Sequence, residues 1–128
     1  MKILFDTHLL LWAAAGSRRL PKREGHLLED PETEPFFSAA SVWEVAIKSG
    51  LGREDFHVDA GLFRRGLLDN GYTELTITSA HAVAAGSLPP IHKDPFDRML
   101  IAQSIVEGII LLTTDPIMAQ YGGLVRLI

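Results

Sequence analysis

Five short strand-like runs, near residues 2–5, 35–38, 73–77, 109–113 and 124–127, alternate with helix-like stretches near 8–15, 21–30, 40–49, 60–70, 79–86 and 95–107. Strands separated by helices are joined by crossovers rather than hairpins. The alternation therefore predicts a mostly parallel sheet covered on both sides, a three-layer α/β/α sandwich. Ile109-Ile110-Leu111-Leu112 follows Gly108 and is apolar at every position, as expected of a strand covered on both faces, and is expected in the middle of the sheet. Pro21, Gly50-Leu51-Gly52, Asn70-Gly71 and Pro89-Pro90 punctuate the elements as stops and turns, not as linkers. The 128 residues thus read as one domain, 1–128, a size at which roughly two thirds of the unfolded-chain surface can be buried.

The chain has no cysteine, which excludes disulfides, thiolate metal sites and cysteine nucleophiles and leaves oxygen and imidazole as metal donors. A formal charge of −4 argues against a scaffold that grips phosphates everywhere, although Arg18, Arg19, Lys22 and Arg23 form one basic patch. Asp6 and His8 interrupt the apolar start, so it does not read as a secretory signal, and the clean run Leu9 to Ala15 is too short to cross a bilayer. A soluble cytoplasmic protein with no membrane partner is expected. That same run, Leu9-Leu10-Leu11-Trp12-Ala13-Ala14-Ala15, is apolar on every side of a helix and must be covered from outside as well as by the sheet. Either a second copy of the chain, making a homodimer, or neighbouring helices of the same chain would supply that cover. Trp12 and Trp43 read as core residues.

Four acids stand at strand-to-helix transitions: Asp6 after the first strand, Glu44 in the helix after the second, Asp97 at the start of the helix over 95–107, and Asp115 after the run 109–113. A parallel sheet would bring all four toward the carboxyl ends of its strands, where open α/β folds keep their sites. Each has an ordinary explanation. Asp6 and Asp115 suit helix N-caps, and Asp94, followed by Pro95, suits another. Ser41-Val42-Trp43-Glu44 fits a capping box, and Glu44 could also pair with Lys48 one turn on. One acid is enough to cap the helix at 95, which leaves Asp97 as the better candidate ligand.

Their combination points further. At about 5 Å and an effective dielectric near 20, two carboxylates repel by roughly 3 kcal/mol, so four in one cleft call for a cation. Oxygen-only sites suit Mg²⁺ or Mn²⁺, which can activate water for in-line attack on a phosphodiester.

The phrases Phe5-Asp6-Thr7-His8-Leu9-Leu10-Leu11-Trp12, Ser38-Ala39-Ala40-Ser41-Val42-Trp43-Glu44-Val45, Asp94-Pro95-Phe96-Asp97-Arg98-Met99-Leu100-Ile101-Ala102-Gln103 and Leu112-Thr113-Thr114-Asp115 resemble, in order over nearly the whole chain, the PIN domain of VapC-type toxins. The resemblance implies a Mg²⁺- or Mn²⁺-dependent ribonuclease, usually the toxin of a toxin–antitoxin pair, acting on RNA and held by a cognate antitoxin. Carried over position by position, the family's acidic quartet is Asp6, Glu44, Asp97 and Asp115, the last position being the loosest. Thr7 and Thr114 would offer hydroxyls near the metal, and Asp94 would support from behind.

His8, His26, His57, His81 and His92 lack metal-ligand spacing and read as surface or structural residues, with His92 nearest the Asp94–Asp97 corner. Lys48, one turn beyond Glu44, and Arg98, adjoining Asp97, are the expected cations near the cleft; their ordinary explanation is salt bridging to those same acids. A receiver would need an aspartate where Ile77-Thr78-Ser79 stands, and a haloacid-dehalogenase-like site would need one at His8; both fit poorly. A catalytically silent interaction domain and a nuclease without an antitoxin remain the alternatives.

Overall fold

A computed structural model describes residues 1–51 and 57–128, so Gly52 of the expected Gly50-Leu51-Gly52 turn lies outside the described residues. The elements run β1 (Lys2–Phe5), α1 (Thr7–Ala15), α2 (Lys22–Glu29), β2 (Glu34–Ser38), α3 (Ala39–Gly50), α4 (Ala60–Asp69), β3 (Thr73–Leu75), α5 (Ser79–Gly86), α6 (Pro95–Glu107), β4 (Ile110–Thr113), α7 (Pro116–Ala119) and β5 (Val125–Leu127). The five strands pair in the order β3-β2-β1-β4-β5, every pairing parallel. The sheet is flanked by helices on both faces, as the alternation predicts.

Side chains alternate across each strand, and the two cores follow that period. Ile3, Phe5 and Leu112 face one layer with Leu9 and Leu10 of α1, Val45 of α3, and Phe63 and Leu67 of α4. Leu4 and Leu111 face the other with Leu100 and Ile101 of α6 and Met118 of α7. The middle strand is β1, not the all-apolar β4, which lies between β1 and β5. The chain steps outward from β1 to β2 and β3, then returns to place β4 on the far side of β1. A switch point therefore opens at the carboxyl ends of β1 and β4.

Three local expectations differ. The strand at 73–77 stops at Leu75, because Thr76 turns its carbonyl to the Gln103 side chain (3.3 Å) and Thr78 caps α5. The cap of α3 is Ser38, whose hydroxyl accepts from the Ala40 N–H at 3.0 Å, and not Ser41, which lies inside the helix and accepts from the Thr7 hydroxyl at 2.9 Å. The capping box of this chain is instead at α5, where Thr78 and the buried His81 satisfy each other's backbone N–H groups. The four residues of α7 are too few for periodicity to announce. In α1, Leu9 and Leu10 are buried by the chain's own sheet and helices, Leu11, Trp12 and Ala13 are half-buried, and Ala14 and Ala15 stay exposed. Trp43, expected in the core, is 60% exposed.

Glu24 of α2 is fully buried, and neither carboxylate oxygen has a hydrogen-bond partner among the described residues. Burial, reinforced by the charge of Asp6, pushes its carboxyl up to about 8. Because the folded state then binds a proton that the unfolded chain releases near 4.5, Glu24 costs stability progressively as pH rises from about 4.5 to 8. Replacing it with an apolar side chain of similar length should remove that loss. Thermal melts of Glu24→Met beside wild type should give superimposable stabilities near pH 4.5 and a gap at pH 8 favouring the variant by on the order of 1–3 kcal/mol. A gap that does not change with pH would show that the carboxylate is not the cause.

Candidate active site

The register sets the first contact. Phe5 pairs with Leu112, so one step on Asp6 comes beside Thr113, and the Thr113 hydroxyl donates to Asp6 Oδ2 at 2.5 Å. Asp6 also caps α1, its Oδ1 accepting from the Leu9 N–H at 2.9 Å. The cap and the site are one residue. Burial raises the carboxyl of Asp6 above its ordinary range, opposed by these hydrogen bonds and by His8.

Asp6, Asp97 and Asp115 line one open cleft of about 270 Å³ with His8, Trp12, Thr114 and Met118. Glu44 adjoins it from α3, close enough for its charge to act on Asp97. The four predicted acids are thus gathered at the carboxyl end of the sheet. Asp97 sits in the first turn of α6, behind Asp94, which caps that helix by accepting from the Phe96 and Asp97 N–H groups at 2.8 and 3.2 Å. Burial, then the charges of Asp94 and Glu44, lift Asp97 to about 7. Asp115 caps α7 through Oδ1, which accepts from the Ile117 N–H at 2.8 Å.

Glu44 is 3% exposed. Its Oε2 meets the Lys48 ammonium at 2.5 Å, as the i, i+4 spacing predicts, while Oε1 is buried without a hydrogen-bond partner. A buried carboxylate oxygen left bare is costly, and such a group ordinarily has a strong partner. An oxygen-binding divalent cation held between Glu44, Asp97 and Asp6 would be one. The donor set is hard and anionic, which fits Mg²⁺ or Mn²⁺. The larger cleft, about 410 Å³ between α1, α2, β2 and α4, has no acid in its lining.

Three residues at the site escaped the sequence reading. The Thr113 hydroxyl holds Asp6, while the expected Thr114 lines the cleft and Thr7 donates to Ser41. His92 bridges the cleft, with Nε2 3.1 Å from Oδ2 of both Asp97 and Asp115. Tyr121 receives the His92 N–H on its hydroxyl at 2.9 Å and donates to the Pro89 carbonyl at 2.8 Å. Only the position of His92 beside Asp94 hinted at this. Arg98 is not the expected salt bridge to Asp97. Its guanidinium reaches the carbonyls of Ala85, Leu88, Pro89 and His92 at 2.8–3.2 Å and the Tyr121 hydroxyl at 3.3 Å, tying the segment before α6 to that helix.

A family model described as PIN domain matches residues 3–124. The chain belongs to the PIN domain family. PIN domains are generally nucleases that use divalent metals. Among solved structures, the fold is similar to that of VapBC2 from Rickettsia felis bound to a DNA fragment from their promoter, with a TM-score of 0.69 and 11% identity over 98% of this chain and 96% of that one. It is also similar to VapBC-1 from nontypeable Haemophilus influenzae, with a TM-score of 0.64 and 16% identity over 94% of this chain and 92% of that one. At such identities the likeness establishes the PIN fold. No curated protein matches the chain in sequence.

Crowding of the acids has a measurable consequence. With divalent cations chelated, Asp97→Asn should raise the melting temperature at pH 8, by a gain on the order of 1–3 kcal/mol, because one charge leaves a mutually repelling set. Since Asp97 titrates near 7 when folded and near 3.8 when free, the gain should shrink as pH falls through that window. A variant less stable than wild type at pH 8 in chelator would mean that Asp97 is held by attraction rather than crowded by its neighbours.

Proposed function

We propose that the protein is a Mg²⁺- or Mn²⁺-dependent endoribonuclease and the toxin of a type II toxin–antitoxin pair, acting in the cytoplasm. The observation that carries the metal dependence is the bare, buried Oε1 of Glu44 beside an Asp97 lifted to about 7. Asp6, Glu44 and Asp97 are the proposed ligands, and Asp115 supports the site from the far wall. When bound, the cation supplies charge for a phosphodiester and lowers the pKa of water. The chain's own residues do the rest. Thr113 and the α1 backbone fix the Asp6 carboxylate, Lys48 holds Glu44 from behind, and Asp94 absorbs the capping work that would otherwise compete for Asp97.

RNA as substrate is supported by the rim. Trp43, immediately before Glu44, meets Phe96, immediately before Asp97, edge to face with ring centroids 5.2 Å apart. An exposed indole beside the acids suits stacking against an unpaired base, the usual way single-stranded RNA is held. For the antitoxin, the acid-free 410 Å³ cleft lined by Ala13, Ala14, Leu28, Pro35, Leu67 and Tyr72 offers a small-residue apolar seat for a partner helix or strand. For a homodimer, Trp43, Ile47 and Leu51 present an exposed apolar stripe at helical spacing along α3.

Purified protein should cleave single-stranded RNA in millimolar Mg²⁺ or Mn²⁺ and fall silent in EDTA, and cleavage that ignores the chelator would sink the proposal. Asp6→Asn, Glu44→Gln and Asp97→Asn should fold and lose at least about 100-fold in rate, whereas Asp94→Asn should stay nearly active because Asn caps as well as Asp. Equal losses at Asp94 and Asp97 would show that capping, not cation binding, explains these acids.

A further inference from the structure

His92, Asp97 and Asp115 present three potential ligand atoms within 4.8 Å of one another, the outline of a two-carboxylate, one-histidine metal site. The 3.1 Å spacing of Nε2 from each Oδ2 even matches adjacent ligands of an octahedral ion, about 3.0 Å apart for 2.1 Å bonds. The other ring nitrogen excludes that role. The Asp94 N–H donates to His92 Nδ1 at 3.1 Å, so Nδ1 carries a lone pair and the proton of the neutral ring must sit on Nε2. Nε2 then has an N–H to give and no lone pair for a metal.

Resting on the cation-site reading of the acids, we propose that His92 is a positioning residue and not a ligand. Its Nε2–H donates to Oδ2 of Asp115 and lies 3.1 Å from Oδ2 of Asp97, so one ring nitrogen sits against both carboxylates. The lock is built from several directions. Asp94 cannot readily turn its amide away, because its side chain caps α6 through the Phe96 and Asp97 N–H groups. The backbone of His92 is held at both polar groups, its N–H by Tyr121 and its carbonyl by Arg98. Turning the ring over would set carbon atoms against the Asp94 amide and both carboxylates.

The geometry assigns different work to the two acids. Asp115 has Oδ1 engaged by the Ile117 N–H and Oδ2 by His92, so it acts by charge or through water. Asp97 keeps Oδ1 free of any protein donor among the described residues and turned away from the His92 contact, available to a cation. Outer partners that orient ligating groups are worth 10–100-fold in metal affinity, as a rule.

The test uses the full chain with Mn²⁺ as the probe, comparing wild type, His92→Gln, which keeps a donor near the Nε2 position, and His92→Ala, which does not. Ring ¹⁵N NMR of wild type should show a bare Nδ1 and a protonated Nε2, with and without Mg²⁺. Electron paramagnetic resonance of the Mn²⁺-loaded protein should show no ring-nitrogen coupling. His92→Ala should bind Mn²⁺ roughly 10–100-fold more weakly at an unchanged fold, and His92→Gln should recover most of that loss. A proton on Nδ1, a ring-nitrogen coupling that disappears in His92→Gln, or equal Mn²⁺ affinity in wild type and His92→Ala would each overturn the proposal. Wild type that takes up no Mn²⁺ at all would overturn the cation-site reading and the positioning role with it, while the ring spectrum would still tell whether the tautomer is right.

Discussion

Mutual repulsion of carboxylates at one edge of a parallel sheet governs the rest of this molecule. In an all-parallel sheet every strand-to-helix junction falls on the same edge, so acids placed at those junctions converge whether or not convergence is favourable. At an effective dielectric near 20 each close pair costs roughly 3 kcal/mol, more than most single interactions contribute. The proton affinities show the repulsion in part: burial, then the charges of Asp94 and Glu44, lift Asp97 to about 7, while Asp6 is raised by burial. The structure also shows the partial remedy. Lys48 neutralises one face of Glu44, and hydroxyl or amide hydrogen bonds steady the others, but no lysine or arginine reaches Asp6 or Asp97 among the described residues. The proposed divalent cation would complete what the side chains leave unfinished.

Capping and candidate ligation are not competing explanations here, because a carboxylate has two oxygens. Asp6 gives Oδ1 to the α1 backbone and Oδ2 to Thr113, and each oxygen keeps a second lone pair. The cap fixes the side chain's direction at no extra entropic cost, since the helix needs that bond anyway. At α6 the labour is divided: Asp94 takes both backbone N–H groups, so Asp97 is released from capping. The pairing of these two acids within four residues is what marks out Asp97 in the sequence.

Much of this was legible in the sequence, and the failures have physical causes. Alternation of strand and helix patterns located the layers, and strand-like runs located all five strands to within a residue or two. They could not order the strands, since hydrophobicity reports burial on two faces and not which neighbour the chain crosses to; hence β1, not β4, is central. Ser41 matched a capping box by spacing, yet Ser38 stands where the backbone is still extended, and a cap needs that geometry. Glu24 gave no signal, because an acid on a polar-looking helix reads as solvated until the fold closes over it.

Arg98 was misassigned for a reason that explains the residue. An arginine next to an aspartate suggests an ion pair, but the segment before α6 has a stronger claim on it. Pro89 and Pro90 remove two backbone donors from a short turn, so its carbonyls cannot all be satisfied by its own amides. A guanidinium carries five N–H donors in a fixed plane and can serve several carbonyls at once, where a lysine ammonium offers three from a single point. Arg98 meets three carbonyls of that segment, those of Leu88, Pro89 and His92, and a fourth, that of Ala85, at the end of α5. The proline-rich loop, the arginine and the tautomer of His92 thereby form one chain of dependence that ends at Asp97, and the spacing of its residues does not by itself reveal it.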